Sequence, residues 1–189
     1  MENIPVLYIN LNRRRDRLKI LERDVLPYFK HKHRIEAIHT PDNGYVGCVL
    51  SHIKALEYAK SQDWDEVIIM EDDFEWVNKD KFIYPDIFFD VCMISGKINK
   101  KEFVTCNYNR VLDGRHTDCY LIKNHFYNTL ICNFKEGYEK LIENFIHKYY
   151  IDVYWLKLQE SHTFISPSLC IGRQREDFSD IEKTFRKRY

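Results

Sequence analysis

Short apolar runs and amphipathic stretches take turns along the first half of this chain. Val6 to Leu11 is apolar behind Pro5 and predicts a buried first strand. The polar run NRRRDR breaks it. From Asp16, the spacing of Leu18, Leu21 and Val25 predicts a helix that Pro27 limits. His31 to Ile38 holds a second short strand, and PDNG at Pro41 to Gly44 marks a turn. Over Gly47 to Ser61, Val49, Leu50, Ile53, Leu56 and Ala59 recur at helical spacing. After the loop QDWD, Val67 to Met70 is apolar at every position, as expected of a central strand in a parallel sheet.

Further strands are expected at Phe88 to Ser95, closed by Gly96, and at Cys119 to Ile122. Asn124 to Tyr150 reads mostly as helix, interrupted near Gly137. Ser166 to Gly172 reads as a strand or extended segment. The order strand, helix, strand, helix, strand points to an α/β fold. No repeat, low-complexity segment or Gly/Ser linker divides the 189 residues, so a single domain over 1–189 is expected.

Composition narrows the function classes. With 44% hydrophobic and 31% charged residues, the chain reads as soluble and globular. A formal net charge of zero argues against a broad surface for nucleic acid or anionic membrane. The terminal run FRKRY reads as a short solvated tail. Six cysteines stand singly, without CxxC, which argues against a zinc knuckle or a thioredoxin-like motif. MENIPVLYIN lacks the features of a signal peptide, and no apolar run approaches the ~20 residues that span a bilayer. A cytoplasmic location with free thiols is the expectation. The pattern carries no signal for oligomeric state.

The chemistry concentrates in VIIMEDDFEW, where the apolar run meets Glu71, Asp72 and Asp73. Ligands of α/β sheets bind beyond the carboxyl ends of strands, and carboxylates there can hold a divalent cation that in turn holds a diphosphate. Three adjacent acids repel one another unless a cation, donor or water compensates. In extended backbone Glu71 and Asp73 share one side and Asp72 takes the other, so Glu71 and Asp73 are the natural metal pair. From these residues alone, a solvated acidic turn stays open beside the metal edge.

Four segments occur in order: YINLNRRRDRL, GYVGCVLSHIKAL, IIMEDDFE and RQREDFSDI. Together they resemble the signature of glycosyltransferase family 25, which includes lipooligosaccharide β-galactosyltransferases and procollagen galactosyltransferases, and the resemblance spans nearly the whole chain. It implies a GT-A-like fold, Rossmann-like with a mixed central sheet flanked by helices. It also implies inverting transfer of galactose or glucose from a UDP-sugar to a hydroxyl on a glycan or protein acceptor, assisted by Mn²⁺ or Mg²⁺.

Carried over by position, the resemblance makes Asp73 the principal metal ligand and gives Glu71 the metal through water, or the ribose. Asn10, Arg13, Arg14, Gly47, Ser51, Asp72, Gln174 and Ser179 would border the nucleotide sugar. Arg13 and Arg14 face phosphate or structural acids on this reading, whereas Arg15 and Arg17 read as exposed helix-start charges and Asp16 as a helix cap. His52 stands between ligand contact and a polar network. Ser179 or Asp180 alternatively starts a C-terminal helix. Asp152, within YYIDVYW, would be the catalytic base, its basicity raised by partial desolvation among aromatics. Trp76, Tyr154 and Trp155 would be sugar platforms or core. Tyr45 and Val46 depart from the family, which usually carries an acid near there, and Asn78 to Arg115 matches nothing specific. Two other classes remain: a noncatalytic nucleotide-sugar or glycan-binding module, and a metal-dependent nucleotidyl or phosphoryl transferase.

Overall fold

Residues 67–70 are apolar at every position because both faces of their strand are covered. Val67 and Ile69 belong to one buried cluster with Val49, Ile53, Leu130 and Phe134, while Ile68 and Met70 belong to another with Leu21, Val25 and Phe29. The computed structural model describes residues 1–186; the last three residues of the basic run FRKRY lie outside the described residues.

The first half follows the expected alternation. Val6–Asn10 forms β1, Arg15–Asp24 α1, Lys32–Glu36 β2, Gly44–Ser61 α2 and Glu66–Glu71 β3. β1 lies between β2 and β3 and runs parallel to both. Three strands therefore end at one edge, which carries Asn10, Glu36 and Glu71. α2 begins three residues before the expected Gly47 because Asn43 caps it, its side chain accepting from the Val46 N–H at 3.4 Å.

The second half departs more. Phe74–Trp76 (β4) follows the acidic turn, and Val91–Met93 (β5) is shorter than the predicted strand. Lys97–Phe103 (β6) and Tyr108–Arg115 (β7) form an antiparallel hairpin that the hydrophobic pattern did not reveal. β6 is an edge strand rich in lysine, so it lacks an apolar face to read. Cys119–Lys123 (β8) pairs antiparallel with β3, so the sheet is mixed around β3 rather than parallel on both sides. The large sheet has the order β2-β1-β3-β8-β5-β9-β7-β6, β9 being Phe164–Pro167.

Asn124–Glu143 (α3) passes through Gly137 without the predicted break. That glycine is a packing site, since a Cβ there would stand 2.7 Å from Cδ1 of Tyr154. Ile151–Tyr154 (α4) and Leu156–Ser161 (α5) follow. Gly172–Gln174 (β10) pairs with β4, and Asp177–Ser179 (β11) forms a hairpin with Thr184–Arg186 (β12). The expected C-terminal helix from Ser179 or Asp180 is therefore a β-hairpin, in whose turn Ser179 Oγ accepts from the Glu182 N–H at 3.1 Å.

Of the two readings of Trp76, Tyr154 and Trp155, packing is the one that their contacts match. Trp155 is fully buried and its Nε1–H donates to the Gly114 carbonyl at 2.9 Å. Trp76 packs edge-on against Phe74, and Tyr154 lies over Gly137. No helix among the described residues is long and apolar enough to cross a membrane.

Gly47 illustrates the tolerance of this frame. A Cβ there would stand 2.4 Å from the Ile38 carbonyl oxygen and 2.7 Å from Thr40 Oγ1, so α2 can approach the segment after β2 only with glycine at this position. Gly47→Ala should destabilise the protein by about 1–3 kcal/mol, as forced overpacking does. Equilibrium urea unfolding checks this, and an unchanged midpoint would show that the helix shifts at no cost.

Candidate functional site

At the carboxyl edge of β1 and β3 lies a cavity of about 200 Å³. Leu11 and Arg17 from the first motif segment line it, together with Gly47, Ser51 and His52 from the second, Glu71, Asp72 and Asp73 from the third, and Gln174, Ser179 and Asp180 from the last. Segments separated by more than a hundred residues in sequence thus meet at one sheet edge, where open α/β sheets bind ligands.

The acidic triplet does not alternate as expected. β3 stops at Glu71, and Asp72 and Asp73 form a turn before β4. Glu71 continues the face of Val67 and Ile69, which looks toward α2. It receives Thr117 Oγ1–H at 3.1 Å and stands 3.3 Å from His52 Nε2. His52 is buried in this polar network, its Nδ1 3.1 Å from the Tyr120 hydroxyl. Asp72 and Asp73 turn together toward Arg17, whose Nη1 donates to Asp72 Oδ1 at 2.8 Å and to Asp73 Oδ2 at 3.2 Å.

Arg17 therefore corrects the expectation of an exposed helix-start charge: it is 7% exposed and also binds Asp177 and the Phe178 carbonyl. Arg15 is exposed as expected. Arg13 and Arg14 both pair with Asp180 of the C-terminal hairpin, which is the structural-acid alternative for them. Asp16 pairs with Arg14 at 2.9 Å, and the N-cap position of α1 is Arg14 rather than Asp16.

Several predicted ligand contacts already have protein partners. Asn10 Nδ2 donates to Asp72 Oδ2 at 2.7 Å, and its Oδ1 accepts from Arg34. Ser51 Oγ donates to the Gly47 carbonyl at 2.6 Å and accepts from the Ile38 N–H at 2.8 Å, which fastens α2 to the segment after β2. Gln174 Nε2 donates to Asp73 Oδ2 at 3.0 Å. Arg173 pairs with Glu75 at 2.7 Å, and Arg175 lies 3.4 Å from Asp177. Asp152 is half-buried on the far wall and accepts from the His116 N–H at 3.2 Å.

Asp118 is the site acid that sequence reasoning missed. It is buried, lines the cavity and accepts from Ser95 Oγ–H. Because β8 runs antiparallel to β3, the residue before β8 reaches the same edge as the residues after β3. The only sequence signal was an acid adjoining an apolar run, and strand direction was needed to use it.

The electrostatics are those of a crowded carboxylate site. Burial pushes the Asp73 carboxyl up to about 7; the Arg17 charge opposes this, and Glu71 and Asp72 add to it. Burial likewise pushes Asp118 up to about 7, against its hydrogen bond from Ser95 and with the repulsion of Glu71 and Asp73. Asp72 is also raised, mainly by burial, although Arg17 and Asn10 pull it down. Oδ1 of Asp73 and Oδ1 of Asp118 are buried without a hydrogen-bond partner. Buried carboxylate oxygens are normally paired or coordinate metals. Hard oxygen donors in this state fit a divalent cation.

In sequence, no family model matches the chain and no curated protein matches it. Among solved structures, a glycosyltransferase involved in the glycosylation of the major capsid of PBCV-1 superposes with a TM-score of 0.51 at 6% identity, over 96% of each chain. A197 from STIV gives 0.48 at 13% identity, over 96% of this chain and 93% of that one. The nucleoside-diphosphate-sugar pyrophosphorylase from Vibrio cholerae RC9 gives 0.42 at 14% identity, over 86% and 71%. The first likeness is one of fold and fixes no substrate; below a TM-score of 0.5 the other two add nothing to it. The fold is thus α/β of the GT-A-like kind, a Rossmann-like start with a mixed central sheet flanked by helices.

Two predictions concern the ion pairs. Arg17→Ala leaves Asp72 and Asp73 buried without their cation and should cost about 3–5 kcal/mol in chemical denaturation, the penalty for breaking a buried pair. Arg15→Ala should stay within about 0.5 kcal/mol. If the two variants unfold alike, the Arg17 contacts contribute nothing measurable.

The second concerns acid. Burial works to raise Asp180, but hydrogen bonds from Arg13 and Arg14 outweigh it and hold the carboxyl below its usual range. A depressed folded value means that its contribution is complete above the unfolded value of about 3.9 and is lost as pH falls through the folded value. Limited pepsin digestion below about pH 4 should therefore cut first within residues 175–186. First cleavage in β1 or β3 would contradict this.

Proposed function

We propose that this chain is a glycosyltransferase of the family 25 kind, moving galactose or glucose from a UDP-sugar to a hydroxyl on a glycan or protein. The observation that carries the reading is the meeting of four separated motif segments in one acidic cavity at the ends of β1 and β3. A second, larger opening of about 880 Å³ adjoins it, and Tyr45, His116, Asp152 and Gln174 line both. A donor in the first and an acceptor in the second would meet at Asp152.

On this reading Asp73 would be the principal ligand of Mn²⁺ or Mg²⁺, through the Oδ1 that has no hydrogen-bond partner, and Glu71, which faces α2, would reach the ion through water. When bound, the cation supplies charge compensation for the diphosphate and the leaving UDP. Asn10, Arg17 and Gln174 hold the acidic turn in place, and Asp72 serves that frame more directly than it serves the donor. Gly47 and Ser51 shape the wall. Asp152 takes the proton of the acceptor hydroxyl as its oxygen bonds to the anomeric carbon. The carbon–UDP bond breaks on the opposite face, so the configuration inverts.

The test is a panel of nucleotide sugars with Mn²⁺, read by thermal shift and by released UDP. The reading expects stabilisation by UDP plus Mn²⁺ and UDP release with a hydroxyl acceptor. Asp73→Ala should lose the metal-dependent part of UDP binding. Asp152→Asn should keep donor binding while transfer falls by about 10²–10⁴-fold, the usual contribution of a general base. Stabilisation without release, whatever the acceptor, favours a noncatalytic binding module. Stabilisation by nucleoside triphosphates alone favours a nucleotidyl or phosphoryl transferase, for which the same carboxylates would serve.

A further inference from the structure

Cys48 and His52 stand four residues apart on α2, so they project from one face of the helix. That face meets the end of β3, where Glu71 brings a carboxylate to the same point. Cys48 Sγ, a His52 ring nitrogen and a Glu71 oxygen all lie within 4.8 Å of one another. All three residues line the cavity. None of this depends on Asp73, which turns away toward Arg17.

We infer that Cys48, His52 and Glu71 form a transition-metal site suited to zinc, on the α2 side of Glu71 and without Asp73. Thiolate and imidazole donors favour Zn²⁺ over Mg²⁺ or Mn²⁺, which prefer oxygen. Three protein ligands with an opening toward a cavity leave one position for water or a ligand oxygen, as in zinc sites that are not purely structural.

The surrounding contacts suit the assignment. A ligating imidazole needs its second nitrogen held by an acceptor, and the Tyr120 hydroxyl stands 3.1 Å from His52 Nδ1. Glu71 is held by Thr117 Oγ1–H at 3.1 Å, on the same oxygen that faces His52. Without an ion, Nε2 stands beside Glu71 Oε1 and Nδ1 beside the Tyr120 hydroxyl. With one, the proton sits on Nδ1 and the Nε2 lone pair faces the metal. Cys48 binds as thiolate, so metal uptake releases its proton to solvent.

The site goes beyond the sugar-transfer reading and requires no donor. Its test uses the chelator-treated full chain titrated with Co²⁺ and then Zn²⁺. The expected result is a thiolate-to-cobalt charge-transfer band that saturates at one equivalent of Co²⁺ and that one equivalent of Zn²⁺ abolishes. Cys48→Ser should remove the band and weaken Zn²⁺ more than about 100-fold, since even outer-shell changes cost about 10–100-fold. Asp73→Asn, and joint replacement by serine of the exposed Cys106, Cys132 and Cys170, should leave both unchanged. A wild-type chain without the band, a band that survives Cys48→Ser, or metal affinity that follows Asp73 instead of Cys48 would each overturn the site. The separate UDP assay then decides the donor reading whichever way this falls.

Discussion

One buried guanidinium organises the acidic edge of this molecule. Arg17 leaves the first turns of α1, enters the space beneath the turn after β3, and binds Asp72, Asp73, Asp177 and the Phe178 carbonyl. Three parts of the chain far apart in sequence are thereby held to one cation. Without it, Asp72 and Asp73 would be buried with only the neutral donors Asn10 and Gln174, and proteins avoid a buried charge without a counter-charge by neutralising or pairing it. The same contact fixes what the turn offers the cavity. Asp73 Oδ2 is engaged by Arg17 and Gln174, whereas Oδ1 has no hydrogen-bond partner.

The rest of the site follows from strand direction. β1 and β3 end together, and β8 begins beside them because it runs the other way. Glu71 and the turn therefore arrive from one strand and Asp118 from another. α2 covers the face that Glu71 looks toward, and the C-terminal hairpin lies over the first-turn arginines. Glu71 stands between two environments: the carboxylates on one side, and the thiol and imidazole of α2 on the other. Crowding of acids on a protein edge is a stability cost, and both the pairing by Arg17 and the two orphaned carboxylate oxygens are signs of how that cost is distributed.

Much of the first half was legible in the sequence because its helices and strands carry their own patterns. Residues 67–70 are apolar throughout since both faces are covered, and that alone placed β3 at the centre. The hairpin of β6 and β7 was not legible, because lysines on an exposed edge erase the alternation that marks a strand. Gly137 looked like a break since its reason for being there, the ring of Tyr154, lies outside its own helix. The acids of the site were visible as EDD, yet their directions were not: alternation fails where β3 stops at Glu71. Arg17 looked like an ordinary surface charge because its partners lie 55, 56 and 160 residues away. Asp118 needed the antiparallel pairing of β8 before it could be placed at all. Residues of all four ordered motifs do line one cavity.

The claim on which the account rests is that the cavity at the ends of β1 and β3 is where a metal-held nucleotide sugar sits. Crystals grown or soaked with UDP and Mn²⁺, with diffraction measured across the manganese absorption edge, test it most directly. The account predicts anomalous density beside Asp73 and Glu71, with the diphosphate in the same cavity and the acceptor side open toward Asp152. Nucleotide bound elsewhere, or manganese far from these carboxylates, would contradict it.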